Sequence, residues 1–427
     1  MKSRKIARFL AEIAEKPNGR LIVLTGARQT GKTTLARELF PEYSFLSIED
    51  PVMRETYGKL TAAQWRALYP RAILDEVQKE PRLVESIKSV YDQWPEPRYL
   101  LSGSSQLLLM AKVKESLAGR CSIVDLFPLT LPELATDDWN EPVPDSFFQA
   151  IVISPRAAAT IAEALLPSFL LDTDHPRKIL AWEHYCRFGG YPALTRPDLG
   201  EEDRYRWLGD YVRTYLERDI RDLANFKDLE PFARLQRCVA QRTGQLLNSA
   251  DISKDVGVSI RTTQKYIQYL SISYQVLLLE PWFRNPIKRL VKSPKLHFLD
   301  YGVLQAVLGK RGNPSGHEFE SIVVAELYKQ ARTVLADTRF YHLRTVDGRE
   351  IDLIAELPEG YFAFEIKASD RVGLSDARHL RDLEPVLDKP LLHSFVLSRD
   401  FETKNLGHRI TAVHAGYFLG SMGAPRP

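Results

Sequence analysis

One octapeptide limits what this chain can fold into: Gly26-Ala27-Arg28-Gln29-Thr30-Gly31-Lys32-Thr33. It matches G-x-x-x-x-G-K-[ST] at every fixed position. It follows a short apolar run, Leu21 to Thr25, and precedes "TTLARELF", which has helical spacing. A buried strand, a glycine loop and a helix in that order make a phosphate cradle. The glycines let backbone N–H groups curl round a β-phosphate, and the helix offers its positive end. Lys32 is expected to reach the β- and γ-phosphates, and the Thr33 hydroxyl to ligate Mg²⁺. The expected nucleotide-binding residues are therefore Gly26, Ala27, Arg28, Gln29, Thr30, Gly31, Lys32, Thr33 and Thr34, with ATP and Mg²⁺ as ligands. The bland alternative, a flexible glycine loop, does not require the strand before it or the helix after it.

A cradle of this kind needs an acidic strand. "RAILDEVQ", Arg71 to Gln78, is an apolar run ending in Asp75-Glu76. Asp75 is expected to hold Mg²⁺ through water, and Glu76 to polarise the attacking water. "RYLLSGSSQ" is a further buried strand tipped with hydroxyls, where Ser102 or Ser104 would sense the γ-phosphate; the choice between them stays open. A helical pattern from Gln106 then closes at Gly119 as a C-cap. Arg120 follows, placed either as an arginine finger or as an ordinary surface partner of the helix dipole.

A chain of 427 residues exceeds one core, so two or three domains are expected. The formal net charge of +3 means that any nucleic-acid binding must come from local patches. Cys121, Cys186 and Cys238 form no C-x-x-C pair, which argues against a disulfide framework and fits a reducing cytoplasm. The basic N-terminus is broken by Glu12 and Glu15 and reads as an amphipathic helix, not a leader. No apolar run approaches the ~20 residues that span a bilayer, so no membrane role is expected.

Farther along, "NSADISKDVGVSIRTTQKYIQYL" places a Gly257 turn between two short helices, the second capped by Ser259. That is helix-turn-helix grammar, and "QVLLLEPWFRN" adds a strand and turn as in a winged helix. Arg261, Thr262 and Lys265 would enter a groove. The basic run Arg284, Lys288, Arg289, Lys292 and Lys295 would meet phosphates from a wing, making DNA the expected partner. Such helices also serve as lids or protein contacts.

In the last part, Leu357-Pro358-Glu359-Gly360 reads as a turn. A hairpin closed there pairs Glu356 with Tyr361, and so Asp352 with Glu365 and Glu350 with Lys367. Two carboxylates directly opposite are destabilising unless a cation sits between them. Asp352, Glu365 and Lys367 match the D-x(12)-E-x-K spacing of the PD-(D/E)xK nuclease fold, with Glu320 on the preceding helix. In that chemistry Glu320, Asp352 and Glu365 bind Mg²⁺, and the metal with Lys367 activates water. The alternative is a pair of strand-end acids neutralised by Arg344, Arg349 and Lys367.

The order P-loop, Asp-Glu strand, Ser-tipped strand and "LAGR…PLTLPEL" resembles the AAA+ ATPases. More closely, "GARQTGKTTL", "LDEVQ", "LSGSS", "FGGYPAL", "YLERDI", "LHFLDYG" and "GREIDLI…FEIKAS" resemble a prokaryotic group of AAA-type ATPases with a C-terminal domain of unknown function and nuclease-like fold. Only the stretch from about Ala135 to Leu180 carries no recognised motif. The implied architecture is α/β. A P-loop AAA+ parallel sheet with helices (1–135) is followed by a helical region with a possible insertion (136–235). A winged helix-turn-helix (236–310) and an α/β restriction-endonuclease-like domain (311–427) complete it. The implied activity is ATP hydrolysis coupled to DNA, with catalytic Glu76 and Arg120 in the first unit and Asp352, Glu365 and Lys367 in the last. If Arg120 acts across a subunit boundary, the protein is a homo-oligomer. The competing reading is a regulatory ATPase switch whose C-terminal domains bind a protein or DNA without cleavage.

Overall fold

The computed structural model describes the whole chain except residues 104–116, 216–227, 286, 288, 290–291, 346–347 and 423–427. Ser104 and Lys288 lie outside the described residues, as do most of the helix expected from Gln106 and the "LERDI" of "YLERDI".

The first sheet is parallel and five-stranded. It contains β1 (Leu21–Thr25), β2 (Ser44–Ser47), β3 (Arg71–Asp75), β4 (Arg98–Gly103) and β5 (Ser122–Asp125), in the order β2-β3-β4-β1-β5. All five residues of β1 are buried, as parallel strands covered on both faces require. Leu21 and Val23 join a core with Trp65, Leu83 and Ile87 on one face. Ile22 and Leu24 join Ile6, Leu10 and Leu35 on the other. The amphipathic N-terminal helix, Ile6–Glu15, therefore closes the second face with Ile6, Leu10 and Ala14. Register brings Thr25 beside both Gly103 and Asp125, and Ser47 beside Asp75. The carboxyl ends of the strands thus form one ledge, where open α/β sheets bind ligands.

The second sheet is mixed. It comprises β6 (Gln245–Leu246), β7 (Val276–Pro281), β8 (Lys295–Phe298), β9 (Arg339–Arg344), β10 (Glu350–Leu357), β11 (Gly360–Ile366), β12 (Leu391–Ser398), β13 (Lys404–Gly407) and β14 (Ile410–His414). Their order is β13-β14-β12-β11-β10-β9-β7-β8-β6. Parallel pairing of Glu280 with Tyr341 and Pro281 with His342 joins β7 to β9. The sheet therefore runs across residue 310, where the sequence suggests a boundary. The wing-like hairpin β7–β8 is part of the C-terminal sheet.

The two helices flanking Gly257 are Ser249–Val256 and Ile260–Ile272. Thr262 N–H donates to the Ser259 hydroxyl at 3.1 Å, the expected N-cap. The stretch without recognised motifs is packed against the C-terminal unit: Phe148 meets Phe364 and Phe418 edge-on or tilted, at ring-centroid distances of 5.9 and 6.4 Å. "FGGYPAL" and "LDYG" meet each other. Asp300 accepts Gly190 N–H at 2.8 Å and caps the helix Tyr301–Leu308 through Val303 N–H. A Cβ on Gly189 would stand 2.1 Å from the Asp300 carboxylate, and one on Gly190 would stand 2.2 Å from the Leu129 carbonyl. Those glycines are there for close approach.

Candidate functional site

The loop after β1 has the shape its glycines permit. Gly26 sits at φ +150, and a Cβ there would lie 2.1 Å from the Leu126 carbonyl oxygen, so no side chain fits. The helix Lys32–Leu39 begins directly at the end of the loop, with Gly31 as its N-cap. Thr30 Oγ1 donates to the Ala27 carbonyl at 2.9 Å and pins the loop. Lys32 Nζ lies across the loop, donating to the carbonyls of Gly26 and Ala27 at 2.9 and 2.8 Å. Thr33 Oγ1 donates to Asp75 Oδ2 at 2.8 Å, and Ser102 Oγ donates to the other oxygen, Oδ1. Asp75 is buried, and Ser102 is fully buried at its side. Hydroxyl and carboxylate oxygens are hard donors suited to Mg²⁺. The residues present therefore fit that ion. Ser102 is the hydroxyl of the Ser-tipped strand that meets Asp75. Glu76 follows in the left-handed region, at φ +57, and accepts from Gln78 Nε2. Arg28 and Gln29 lie at the loop's outer side, half-exposed and exposed, and Thr34 is exposed on the first helical turn.

Arg120 is held within its own chain. Its Nε and Nη2 donate to the two carboxylate oxygens of Asp92 at 2.7 and 3.3 Å.

Two residues that sequence reasoning missed touch this ledge. Arg4, from just before the N-terminal helix, is buried and donates to the carbonyls of Thr30 and Phe127 at 3.0 and 2.6 Å. Tyr274 comes from the turn before β7. Its hydroxyl lies 3.0 Å from Thr25 Oγ1 and donates to Asp125 Oδ1 at 2.6 Å. Burial raises the Asp125 carboxyl above the usual range, and the Tyr274 hydrogen bond partly opposes this. No spacing rule connects residue 274 to the end of β1.

The second site is a basin of about 870 Å³, lined among others by Lys295, Glu320, Glu350, Asp352, Glu365 and Lys367. The hairpin β10–β11 closes one pair beyond expectation: Leu357 pairs with Gly360, leaving a two-residue turn. Parity is unchanged, so Glu356 pairs with Tyr361 and the pairing of Leu353 with Phe364 carries Asp352 opposite Glu365. A register shift against β9 between Ile351 and Ile354 falls at Asp352. Such bulges re-aim side chains. Asp352 Oδ2 accepts Ile366 N–H at 2.9 Å. Glu320, from the helix Gly316–Thr333, completes the carboxylate cluster. Lys367 Nζ donates to Glu365 Oε1 at 2.6 Å and not to Glu350 across the hairpin.

The cation between the acids comes from the basic run, not from the hairpin. Lys295 Nζ stands 2.6 Å from Glu320, 3.4 Å from Asp352 and 3.6 Å from Glu350. Burial works against its charge, but Glu320 and Asp352 outweigh burial and hold its pKa above that of an ordinary lysine. Burial, then the Asp352 carboxylate, pushes Glu365 up to about 8, with Lys367 opposing. Burial and Asp352 raise Glu320 likewise. Among the described residues no group of three or more His, Cys, Asp or Glu side chains is gathered as for a metal ion. Where a divalent ion was expected between Glu320, Asp352 and Glu365, the Lys295 ammonium stands within ion-pair distance of Glu320 and Asp352.

Two members of the basic run, Arg289 and Lys295, are turned inward, while Arg284 and Lys292 are exposed. Arg289 is buried, donates to Phe283 O and the Tyr341 hydroxyl at 2.6 and 3.2 Å, and pairs with Glu356 at 3.3 Å. Arg284 Nη2 donates to the Leu387 carbonyl at 2.9 Å. Neither Arg289 nor Lys295 can face phosphate, because each guanidinium or ammonium already neutralises internal carboxylates. Arg261 and Lys265 do lie exposed on the second helix, with Thr262 half-exposed between them.

Residues 18–135 match the model of an AAA domain. The amino-terminal unit is an AAA-type P-loop ATPase domain. Residues 179–313 and 315–418 match two domains of unknown function, DUF8612 and DUF4143. The chain is 28% identical over 366 residues to the uncharacterized protein Rv2008c of Mycobacterium tuberculosis, covering 83% of this chain and 72% of that one. The uncharacterized protein Mb2031c of Mycobacterium bovis matches to the same extent, 28% over 366 residues. Among solved structures, the Walker-type ATPase paby2304 of Pyrococcus abyssi aligns at TM-score 0.44 and 15% identity, over 72% of this chain and 98% of that one. The ORC2 protein of Aeropyrum pernix aligns at TM-score 0.25 and 14% identity, over 77% and 93%. No described helix is long and apolar enough to cross a membrane.

Proposed function

We propose that the chain is an ATP-hydrolysing switch whose middle and C-terminal parts engage DNA according to the nucleotide state. The observation that carries it is Tyr274. Its hydroxyl is bonded to the last residues of two adjacent P-loop-domain strands, Thr25 and Asp125. Phe127 packs edge-on against both Tyr274 and Tyr328, at 5.7 Å each. A shift of the ledge on hydrolysis therefore acts on β7, which begins two residues after Tyr274, and on the helix Gly316–Thr333 that carries Tyr328.

In the ATPase step the loop amides and Lys32 hold the phosphates, Thr33 and Asp75 supply oxygens, and Glu76 orients the attacking water. Mg²⁺, when bound there, neutralises charge on the β- and γ-oxygens. Lys32 must leave its own carbonyls to do so. Arg120 acts as a finger toward a second subunit once released from Asp92. Exposed Arg261 and Lys265 supply DNA contact as the leading edge of a winged helix. The test is ATPase rate with and without single- and double-stranded DNA. Stimulation by DNA that survives in wild type and disappears in Tyr274→Phe supports the switch; stimulation unchanged by Tyr274→Phe removes the proposed link. Charge reversal at Arg261 and Lys265 should lower the slope of log affinity against log salt by about 2.

A second reading is DNA cleavage in the C-terminal unit. It is supported by Glu320, Asp352, Glu365 and Lys367 lining one basin, together with the D-x(12)-E-x-K spacing of the sequence. Mg²⁺-dependent nicking abolished by Asp352→Ala, with ATP hydrolysis retained, would establish it.

A further inference from the structure

Asp352 and Glu365 face each other across β10 and β11, and Glu320 closes on them from a helix. Three carboxylates so placed need a positive charge. Lys295 brings it from the first residue of β8, on a different hairpin, where it pairs opposite Leu279. Its side chain is 5% exposed. A lysine buried this far is sustained only by matched carboxylates, and the match here is to Glu320, Asp352 and Glu350 together. With Lys367 on Glu365, the three carboxylates of the cluster already face two ammonium groups.

We propose that Lys295 is the resident counter-ion of this basin and excludes a divalent metal from it. A divalent ion bridging Glu320 and Asp352 would need the space that Lys295 Nζ fills, and two cations cannot share it. Met in place of Lys295 would keep the apolar stem, without the ammonium and its charge, and open the carboxylates to a metal. The lysine is a structural clamp as well. It ties β8 to the helix Gly316–Thr333 and to β10, so the basin's wall holds together without metal. This deepens the switch reading, on which it rests for a C-terminal unit that engages DNA, and it stands against the cleavage reading. Its test uses neither ATP nor DNA, so the two can fail separately.

The experiment is Mn²⁺ binding to the full chain without nucleotide, followed by the electron paramagnetic resonance signal of free Mn²⁺. Wild type and Asp352→Asn should bind Mn²⁺ alike and weakly. Lys295→Met should gain one site, tighter by about tenfold or more because a like charge at contact distance is gone. The gain should vanish in Lys295→Met combined with Asp352→Asn. Melting temperature read with and without Mn²⁺ gives a second measure, since a metal that restores the charge should restabilise Lys295→Met. A wild-type site lost in Asp352→Asn would overturn the proposal. So would a folded Lys295→Met that gains no site. Should Lys295→Met fail to fold, the comparison of wild type with Asp352→Asn still decides: equal weak binding supports the proposal, and a difference overturns it.

Discussion

The two carboxylate sites of this chain are built from similar parts and left in opposite states. On the P-loop ledge, Asp75 ends a strand and is hydrogen-bonded by two neutral hydroxyls, those of Thr33 and Ser102. In the C-terminal basin, Glu320 and Asp352 meet an ammonium, Lys295. Hydroxyls orient a carboxylate without cancelling its charge, so Asp75 keeps its attraction for a cation. An ammonium cancels the charge and takes the place. A pair of acids at a strand end therefore does not by itself make a metal site. What neutralises them decides.

The comparison breaks first on the ledge. Lys32→Ala should abolish tight ATP binding, because the loop loses the ammonium expected at the β- and γ-phosphates; equilibrium binding of a fluorescent ATP analogue checks it. Glu76→Gln should still bind ATP while turnover falls by about 10²-fold or more, the usual worth of a positioned base. Unchanged steady-state turnover in Glu76→Gln would take Glu76 out of the mechanism.

On the basin side, Lys295→Ala removes a buried partner and leaves Glu320 and Asp352 uncompensated. A loss of about 3–5 kcal/mol is expected, the range for breaking a buried ion pair on one side. Urea unfolding followed by tryptophan fluorescence measures it. Glu320→Gln combined with Lys295→Ala should recover part of the loss, since Glu320→Gln removes a charge that losing Lys295 strands. Stability close to wild type in Lys295→Ala would mean that the acids are neutral or solvated and that the lysine clamps nothing.

The ledge was legible in the sequence and the basin only half so, for a physical reason. The P-loop is contiguous: loop, lysine, hydroxyl and helix follow one another, and the acid strand is read from its apolar run. The hairpin register was legible because side chains alternate with period two, so one extra pair at Leu357 and Gly360 left every facing residue unchanged. Lys295 was not legible. It stands in a basic run with Arg284 and Arg289, and local charge patterning reads such a run as a wing facing phosphates. Tertiary structure sends Arg289 to Glu356 and Lys295 to Glu320, far along the chain, and nothing local announces either pairing. Tyr274 escaped for the same reason. A tyrosine in a turn, at φ +61, carries no sequence sign that its hydroxyl ends on the P-loop sheet.

The smallest expected effect tests the balance inside the basin by pH. Glu365 is raised from 4.5 to about 8, first by burial and then by the Asp352 carboxylate. Its folded form thus holds a proton that its unfolded form releases near 4.5. The folded state binds more protons between those two values, so this group's contribution to stability is complete below about 4.5 and is lost as pH rises through about 8. Glu365→Gln mimics the protonated acid at every pH. The variant should match wild type near pH 5 and become the more stable of the two by pH 8.5, read as a melting-temperature difference that opens across that window. Lys367 sharpens the reading, because its ammonium at 2.6 Å favours the ionised form. Lys367→Met should therefore move the end of the loss upward in pH, while its start near 4.5 stays in place. A melting-temperature difference between Glu365→Gln and wild type that is flat from pH 5 to 8.5 would mean that Glu365 is ionised throughout. The basin would then carry a net negative charge, and the contrast with the P-loop ledge would narrow to the single ammonium of Lys295.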